Sequence, residues 1–308
     1  ERKKLRLQFD ECLETDRPTL ECILPNDLFC ELPAVEVYIG KILNKQHIKR
    51  VILDLNSLLP IPNLQHLKRV NNGMVLICLC AGIADVELFL KQIGFDNSLL
   101  TDFKRLKVIS RLPRTRKQFE DASKVWPCNF YEDKYLEKLI NNTIFNEKEL
   151  KTHEKWMDIA YQIAVKSKEK TGTVIVNPLN NKMLCSTSSE KSNHPLKHSV
   201  MLAIDMIAKI QGGSAWFNSS SDDHLQKLPK HILGDDPYLC TGYYVYTTHE
   251  PCTMCAMALI HSRVKRVFYS ISSDKGALGS LANIHTIKSL NHHYEVFRGL
   301  LCKKCKNL

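Results

Sequence analysis

The hydrophobic positions along this chain change period several times, and each change marks an element. Ala34-Val35-Glu36-Val37-Tyr38-Ile39 and Ile48-Lys49-Arg50-Val51-Ile52-Leu53 are short stretches rich in β-branched residues that read as strands, the second partly alternating. Met74 to Cys80 is a continuous apolar run suited to a buried strand, and Phe103 to Ile109 predicts a fourth. Leu64 to Val70 reads as a helix. From Asp85 to Ile93, the residues Val86, Phe89, Leu90 and Ile93 recur at helical spacing, with Asp85 placed to cap the run and Gly94 to stop it. These segments predict a small α+β sheet with helices on one face, over residues 1–145.

A different rhythm begins at Glu147. The helix expected over Glu147 to Lys168 gathers Trp156, Ile159, Ala160, Ile163 and Ala164 on one face. Thr173 to Pro178 reads as a strand and turn, with Lys182 to Ser186 as its hairpin partner. A dense apolar helix, Met201 to Ala208, starts at His198, and Gln211 to Asp236 is rich in Gly, Ser and Asp, including Ser219-Ser220-Ser221-Asp222-Asp223. That stretch predicts a surface insertion. Tyr243 to Tyr246 is strand-like, Pro251 introduces another helix, and Arg266 to Ser270 is a strand. The order α-β-β-α-β-α-β predicts a second, α/β domain over residues 146–308, a three-layer α/β/α stack around a mixed sheet. No internal repeat is evident.

The chemistry sits at two helix starts. Cys252 and Cys255 have the C-x-x-C spacing that brings two thiolates to one ion at the beginning of a helix, where Pro251, read as the first helical residue, and the positive end of the dipole favour them. With His198 they make three zinc ligands and leave a fourth position for water or a blocking group. His249 is closer in sequence than His198, but it precedes the helix and would crowd the metal face used by Cys252. His198-Ser199-Val200 followed by Pro251-Cys252-Thr253-Met254-Cys255 is the H-x-E…P-C-x-x-C signature of zinc deaminases with valine where the glutamate belongs. Metal binding is expected, and the proton shuttle is missing. Glu250 and Glu190 are the acids that a rescue would require, and both lie in loops rather than on the rigid helix that follows the histidine.

At this level the chain resembles the non-catalytic subunits of the eukaryotic heterodimeric tRNA adenosine deaminases, in the cytidine/deoxycytidylate deaminase superfamily. The matching residues are His198-Ser199-Val200 and the run from Glu250 through Cys255 to Arg263, where Met254 and Ala256 are similar to the tRNA-type enzymes. Arg114 to Glu120 with Trp126-Pro127, and Asn291-His292, match more weakly. The resemblance implies a cytidine-deaminase-like second domain and a Zn2+ site. It also implies a partner chain that carries the catalytic glutamate for converting wobble adenosine to inosine, and a role for this chain in folding support and tRNA binding.

Charge changes the picture of the first domain. The net charge is +10 with a pI near 9.0, and Phe103 to Phe119 holds Lys104, Arg105, Lys107, Arg111, Arg114, Arg116 and Lys117 with no acidic residue between them. Such a block suits a phosphate backbone and is the candidate tRNA contact. Smaller basic groups occur at Arg2-Lys3-Lys4-Arg6, at Arg263-Lys265-Arg266 and in the tail. The twelve cysteines are scattered in apolar settings, which predicts reduced thiols and no structural disulfides. No run is long enough for a membrane span and no cleavable signal pattern opens the chain, so an intracellular, soluble protein is expected, in nucleus and cytoplasm. Cys302-Lys303-Lys304-Cys305 presents two alternatives, a frayed basic end or a strap that folds over the site and supplies the fourth ligand. Two other functions compete with the pseudo-enzyme subunit: a self-sufficient deaminase using a displaced acid, and an RNA-binding protein whose zinc is structural.

Overall fold

A computed structural model describes residues 20–216 and 238–308. Arg2-Lys3-Lys4-Arg6, Ser219 to Asp223 and most of the expected insertion lie outside the described residues. The described residues form two units, Pro25–Glu137 and those from Lys138 onward, the second also taking Leu20–Leu24. The expected division at residue 145 therefore shifts at both ends. The first strand, β1 (Glu21–Cys22), joins the sheet of the second unit, and Leu139, Ile144 and Phe145 pack into that unit's core.

The first unit is built on β2 (Ala34–Ile42), α1 (Ile48–Leu58), β3 (Val70–Asn71), β4 (Met74–Leu79), α2 (Val86–Gln92), β5 (Leu100–Ile109) and α3 (Arg116–Val125), with α4 (Lys134–Ile140) leading out of it. Its sheet is antiparallel in the order β3-β4-β2-β5. Val51 and Leu55 of α1 and Val86 and Leu90 of α2 pack on Tyr38, Val75 and Ile77. Ala122 of α3, with Leu64, Leu67 and Trp126, packs on Val37, Ile39, Leu76 and Val108 of the opposite face. Helices thus cover both faces, not one.

Two of the expected elements take a different form. Ile48–Leu53 is not a strand but the first half of α1, because Ile48, Val51, Ile52 and Leu55 share one helical face once the run is followed past Leu53. Leu64–Val70 is not a helix: a single 3-10 turn at Pro62–Leu64 buries Leu64 and Leu67, and the chain then enters a hairpin. Asn72 and Gly73, with φ of 47° and 81°, form its two-residue turn, a geometry that Asn-Gly favours. Asp85 does cap α2, accepting from the N–H groups of Glu87 and Leu88 at 2.9 and 3.2 Å.

The second unit continues with α5 (Glu147–Lys166), β6 (Gly172–Asn177), β7 (Lys182–Ser188), α6 (Ser199–Ile210), β8 (Tyr244–His249), α7 (Thr253–His261), β9 (Arg266–Ile271), β10 (Glu295–Arg298) and α8 (Cys302–Cys305). A capping box between Asn146 and Glu149 starts α5. The sheet order is β1-β10-β9-β8-β6-β7, with β8, β9 and β10 parallel and the remaining pairs antiparallel. Alternation along the strands sorts the two faces. Val174, Tyr246, Phe268 and Phe297 meet Trp156, Met157 and Ala160 of α5, whereas Ile175, Val245, Val267 and Tyr269 meet α6 and α7. This is the expected three-layer mixed α/β fold, extended by β10 and β1.

The cysteines of the described residues are all free thiols. Among the described residues no helix is long and apolar enough to cross a membrane.

Candidate metal centre

His198 and Cys252 are the N-cap residues of α6 and α7, and Cys255 lies in the first turn of α7. Pro251 therefore precedes the N-cap rather than opening the helix as expected. Two helix starts on the same face of the sheet bring the three side chains together. His198 Nδ1 lies 3.6 Å from Cys252 Sγ and 3.5 Å from Cys255 Sγ, and the three ligand atoms fall within 4.8 Å of one another.

This donor set fits zinc. Bonds of about 2.3 Å to sulfur and about 2.05 Å to nitrogen at a tetrahedral angle separate nitrogen from sulfur by about 3.6 Å. The electrostatics agree. The Cys255 thiol holds the Cys252 sulfur down to about 5 against the opposing effect of burial, aided by the amides of the helix start and by His198. Cys255 is pushed up by the same hydrogen bond and by burial, and a divalent cation would hold both sulfurs as thiolates.

Val200 is 3 % exposed in the apolar cluster that contains Ala203, Cys255 and Ala256. Of the two acids considered as its substitute, Glu250 is engaged elsewhere and Glu190 is paired in a surface loop. Glu250 is buried and fully committed to the loop after β9, where Oε1 accepts from the Leu278 and Ser280 N–H groups at 2.9 and 3.0 Å. Its Oε2 accepts from the Ser273 N–H at 3.1 Å and from the Ser280 hydroxyl. Glu190 is in an exposed loop and pairs with Lys197 at 3.6 Å. His249 hydrogen-bonds Thr248 at 3.0 Å and stands outside the ligand group.

The tail fits neither expectation. Cys305 is fully buried, Lys304 pairs with Asp158 of α5, and Cys305 meets Ser270, which points to the α5 face of β9. The ligands lie at the α6–α7 face, so the sheet stands between them and the tail.

The basic block of the first unit is less bare in space than in sequence. β5 is an edge strand, and Lys104, Arg105 and Lys107 are exposed along it. Lys104 pairs with Asp102 at 2.8 Å, Lys107 with Glu36 at 4.0 Å, and Arg116 with Glu132 at 2.6 Å. Arg111 and Arg114 both approach Asp27, at 4.0 and 3.7 Å. Arg105 instead donates to the Tyr38 hydroxyl and lies over its ring, while Lys117 is exposed on α3. Asp102 stands just before the run, and the other acids, Asp27, Glu36 and Glu132, come from distant segments, which is why the run itself shows none.

One group escaped the sequence reading altogether: the buried hydroxyls of Thr173, Thr187, Ser189 and Ser199, which surround the start of α6. Their signal was the recurrence of Thr and Ser inside otherwise apolar strands.

Residues 150–271 match the family described as the cytidine and deoxycytidylate deaminase zinc-binding region. A zebrafish (Danio rerio) protein named probable inactive tRNA-specific adenosine deaminase-like protein 3 is 35% identical, over 90% of this chain and 89% of its own length. The human (Homo sapiens) protein of the same name is 30% identical over 96% and 95%. The tRNA-specific adenosine deaminase subunit tad3 of Schizosaccharomyces pombe is 28% identical over 93% and 85%. The similarity runs through both units as well as the metal motif, and on that ground the chain belongs to the tRNA-specific adenosine deaminase-like protein 3 (TAD3) family.

Proposed function

We propose that this chain is the zinc-binding, catalytically incompetent subunit of a heterodimeric tRNA adenosine deaminase that converts wobble adenosine to inosine. The partner carries the glutamate, and this chain supports the partner and binds tRNA. One observation carries the reading: His198, Cys252 and Cys255 converge while Val200 fills the acid's place and Glu250 is consumed by a loop. Bound zinc would supply an acidified water in such a site. His198 and the two sulfurs would hold the ion, but among the described residues Val200 fills the acid's place and Glu250 is held by its loop, so neither carries protons between that water and a base. Losing a positioned general acid/base costs roughly 10²–10⁴ in rate. The names of the relatives, "probable inactive" in Danio rerio and Homo sapiens and "subunit" in Schizosaccharomyces pombe, support the same division of labour.

The edge strand β5 and the start of α3 supply the tRNA contact. Exposed ion pairs contribute about 0–1 kcal/mol, so Lys104, Lys107, Arg114 and Arg116 exchange their carboxylates for phosphates at little cost. Lys117 and Arg105 add to that surface. Recognition of this kind reads shape and backbone rather than groove edges.

The test is inosine formation on a deaminase-competent tRNA, with the purified chain alone and with a glutamate-bearing deaminase chain. No inosine alone and inosine with the partner is expected. Inosine from the chain alone would establish a self-sufficient deaminase, and tRNA binding without editing in any pairing would leave an RNA-binding protein with structural zinc.

A further inference from the structure

Ser199 has all three of its polar groups engaged, each by a different residue. Its N–H donates to Ser189 Oγ at 3.0 Å, its carbonyl accepts from Thr187 Oγ1 at 2.7 Å, and its Oγ accepts from Thr173 Oγ1 at 2.8 Å. Thr173 lies on β6, Thr187 on β7 and Ser189 just beyond β7, so the sheet grips the first residue of α6 at three points. The network extends outward, with Thr171 Oγ1 donating to Ser189 Oγ at 2.6 Å and Thr247 Oγ1 of β8 lying 3.2 Å from Thr173 Oγ1.

Stability alone does not call for this arrangement. The surrounding helix–sheet contact is made of Ile175, Val200 and Ala203, and replacing paired buried hydroxyls with apolar groups of the same shape is nearly neutral. What the hydroxyls add is direction. His198, the neighbour of Ser199, has extended backbone at φ −72° and ψ 151°, and among the described residues its ring is within hydrogen-bonding reach of the two sulfurs alone. No hydrogen bond to another side chain of the described residues fixes the ring, so its aim depends on the backbone that carries it, which is held through Ser199 and by the His198 N–H donating to the Leu196 carbonyl at 2.8 Å.

We infer that Ser199 is a positioning residue for the metal centre, fixed by Thr173, Thr187 and Ser189 so that His198 Nδ1 is presented to Cys252 and Cys255 before any ion arrives. The inference rests on the zinc reading of the site. Residues that orient metal ligands are typically worth about 10–100-fold in affinity. Acting through backbone, Ser199 falls at the low end.

The experiment uses the full chain stripped of metal and titrated with Co2+ against a chromophoric chelator, reading both affinity and the ligand-field bands. Thr173→Val keeps shape and removes the hydroxyl, Thr173→Ser keeps the hydroxyl and removes a methyl, and Ser199→Ala removes the acceptor. Thr173→Val and Ser199→Ala are expected to lose about tenfold in affinity and to shift the bands, with Thr173→Ser retaining both. Wild-type affinity and bands in Thr173→Val and Ser199→Ala would overturn the inference. So would equal losses in Thr173→Ser and Thr173→Val, or lowered melting temperatures of the metal-free variants with unchanged bands. If Thr173→Val does not fold, Ser199→Ala against wild type decides the matter by the same two readouts. A wild-type chain that takes up no cobalt would instead remove the zinc reading itself.

Discussion

The carboxyl group of Glu250 lies so close to the α-carbon of Gly276 that a side-chain carbon there would enter the carboxyl. Glu250 has no room to retreat, because both of its oxygens are held by the loop that contains Gly276. The same loop reaches the metal helix, where the Ala277 N–H donates to the Pro251 carbonyl at 2.8 Å and Gly276 bridges to Cys252. Gly276→Ala is therefore expected to destabilise the chain by about 1–3 kcal/mol, as overpacking does. A lowered urea midpoint is the readout, and an unchanged one would show that the carboxyl can swing away.

Removing metal should cost stability in proportion to occupancy. At free zinc 100-fold above Kd, binding adds about 2.7 kcal/mol, so a chelator should lower the melting temperature by a corresponding step. Cys255→Ser should abolish stoichiometric uptake, while Cys302→Ala and Cys305→Ala should leave one zinc per chain. Loss of zinc in the tail variants would contradict the placement of the tail across the sheet.

Acid should unfold the second unit through its buried histidines. His153, 2.8 Å from the Tyr246 hydroxyl, is pushed down to about 4 by burial and then by the Arg266 charge. His285, bonded to the Ile23 carbonyl, is likewise pushed down to about 4, chiefly by burial. On acidification the unfolded chain takes these protons first, near its ordinary value of about 6.5, so their contribution is complete above that pH and is withdrawn as pH falls to about 4. At about 1.4 kcal/mol per unit of displacement, the two together amount to about 7 kcal/mol. Urea midpoints measured from pH 7 to 4.5 should drop accordingly, and His153→Gln should flatten the slope.

The basic strand predicts opposite effects from two kinds of change. Lys104→Glu with Lys107→Glu should weaken tRNA binding and reduce the steepness of its salt dependence by about 1 for each phosphate no longer neutralised. Asp27→Asn frees Arg111 and Arg114 from their shared carboxylate and should tighten binding at low salt. Filter binding across a salt series checks both, and an Asp27→Asn variant that binds more weakly would place the RNA elsewhere.

Local signals in the sequence anticipated the elements that depend on local physics. The helical face of Trp156 and Ala160, the cap at Asp85 and the hairpin of β6 and β7 were readable, because spacing alone determines which side chains share a face; the proximity of His198 to Cys252, 54 residues away, came from the motif pattern and not from spacing. What escaped depends on distant partners. A six-residue window around Ile48–Leu53 hides a helical face that only Leu55 completes, and Leu64 and Leu67 are three residues apart in a turn as readily as in a helix. Phe103 to Phe119 contains no acid, yet Asp27, Glu36 and Glu132 reach it from elsewhere in the chain. The loop partners of Glu250 and the grip on Ser199 are likewise tertiary, with no spacing to betray them.

β1 has its own consequence for how the molecule is made. Glu21 holds Arg298 through two bonds of 2.9 Å across a separation of 277 residues, and the Ile23 N–H donates to the Val296 carbonyl at 2.8 Å. Glu21–Cys22 therefore cannot take its place in the sheet until Glu295–Arg298 has been synthesised. A chain cut short before β10 leaves β1 without its partner strand.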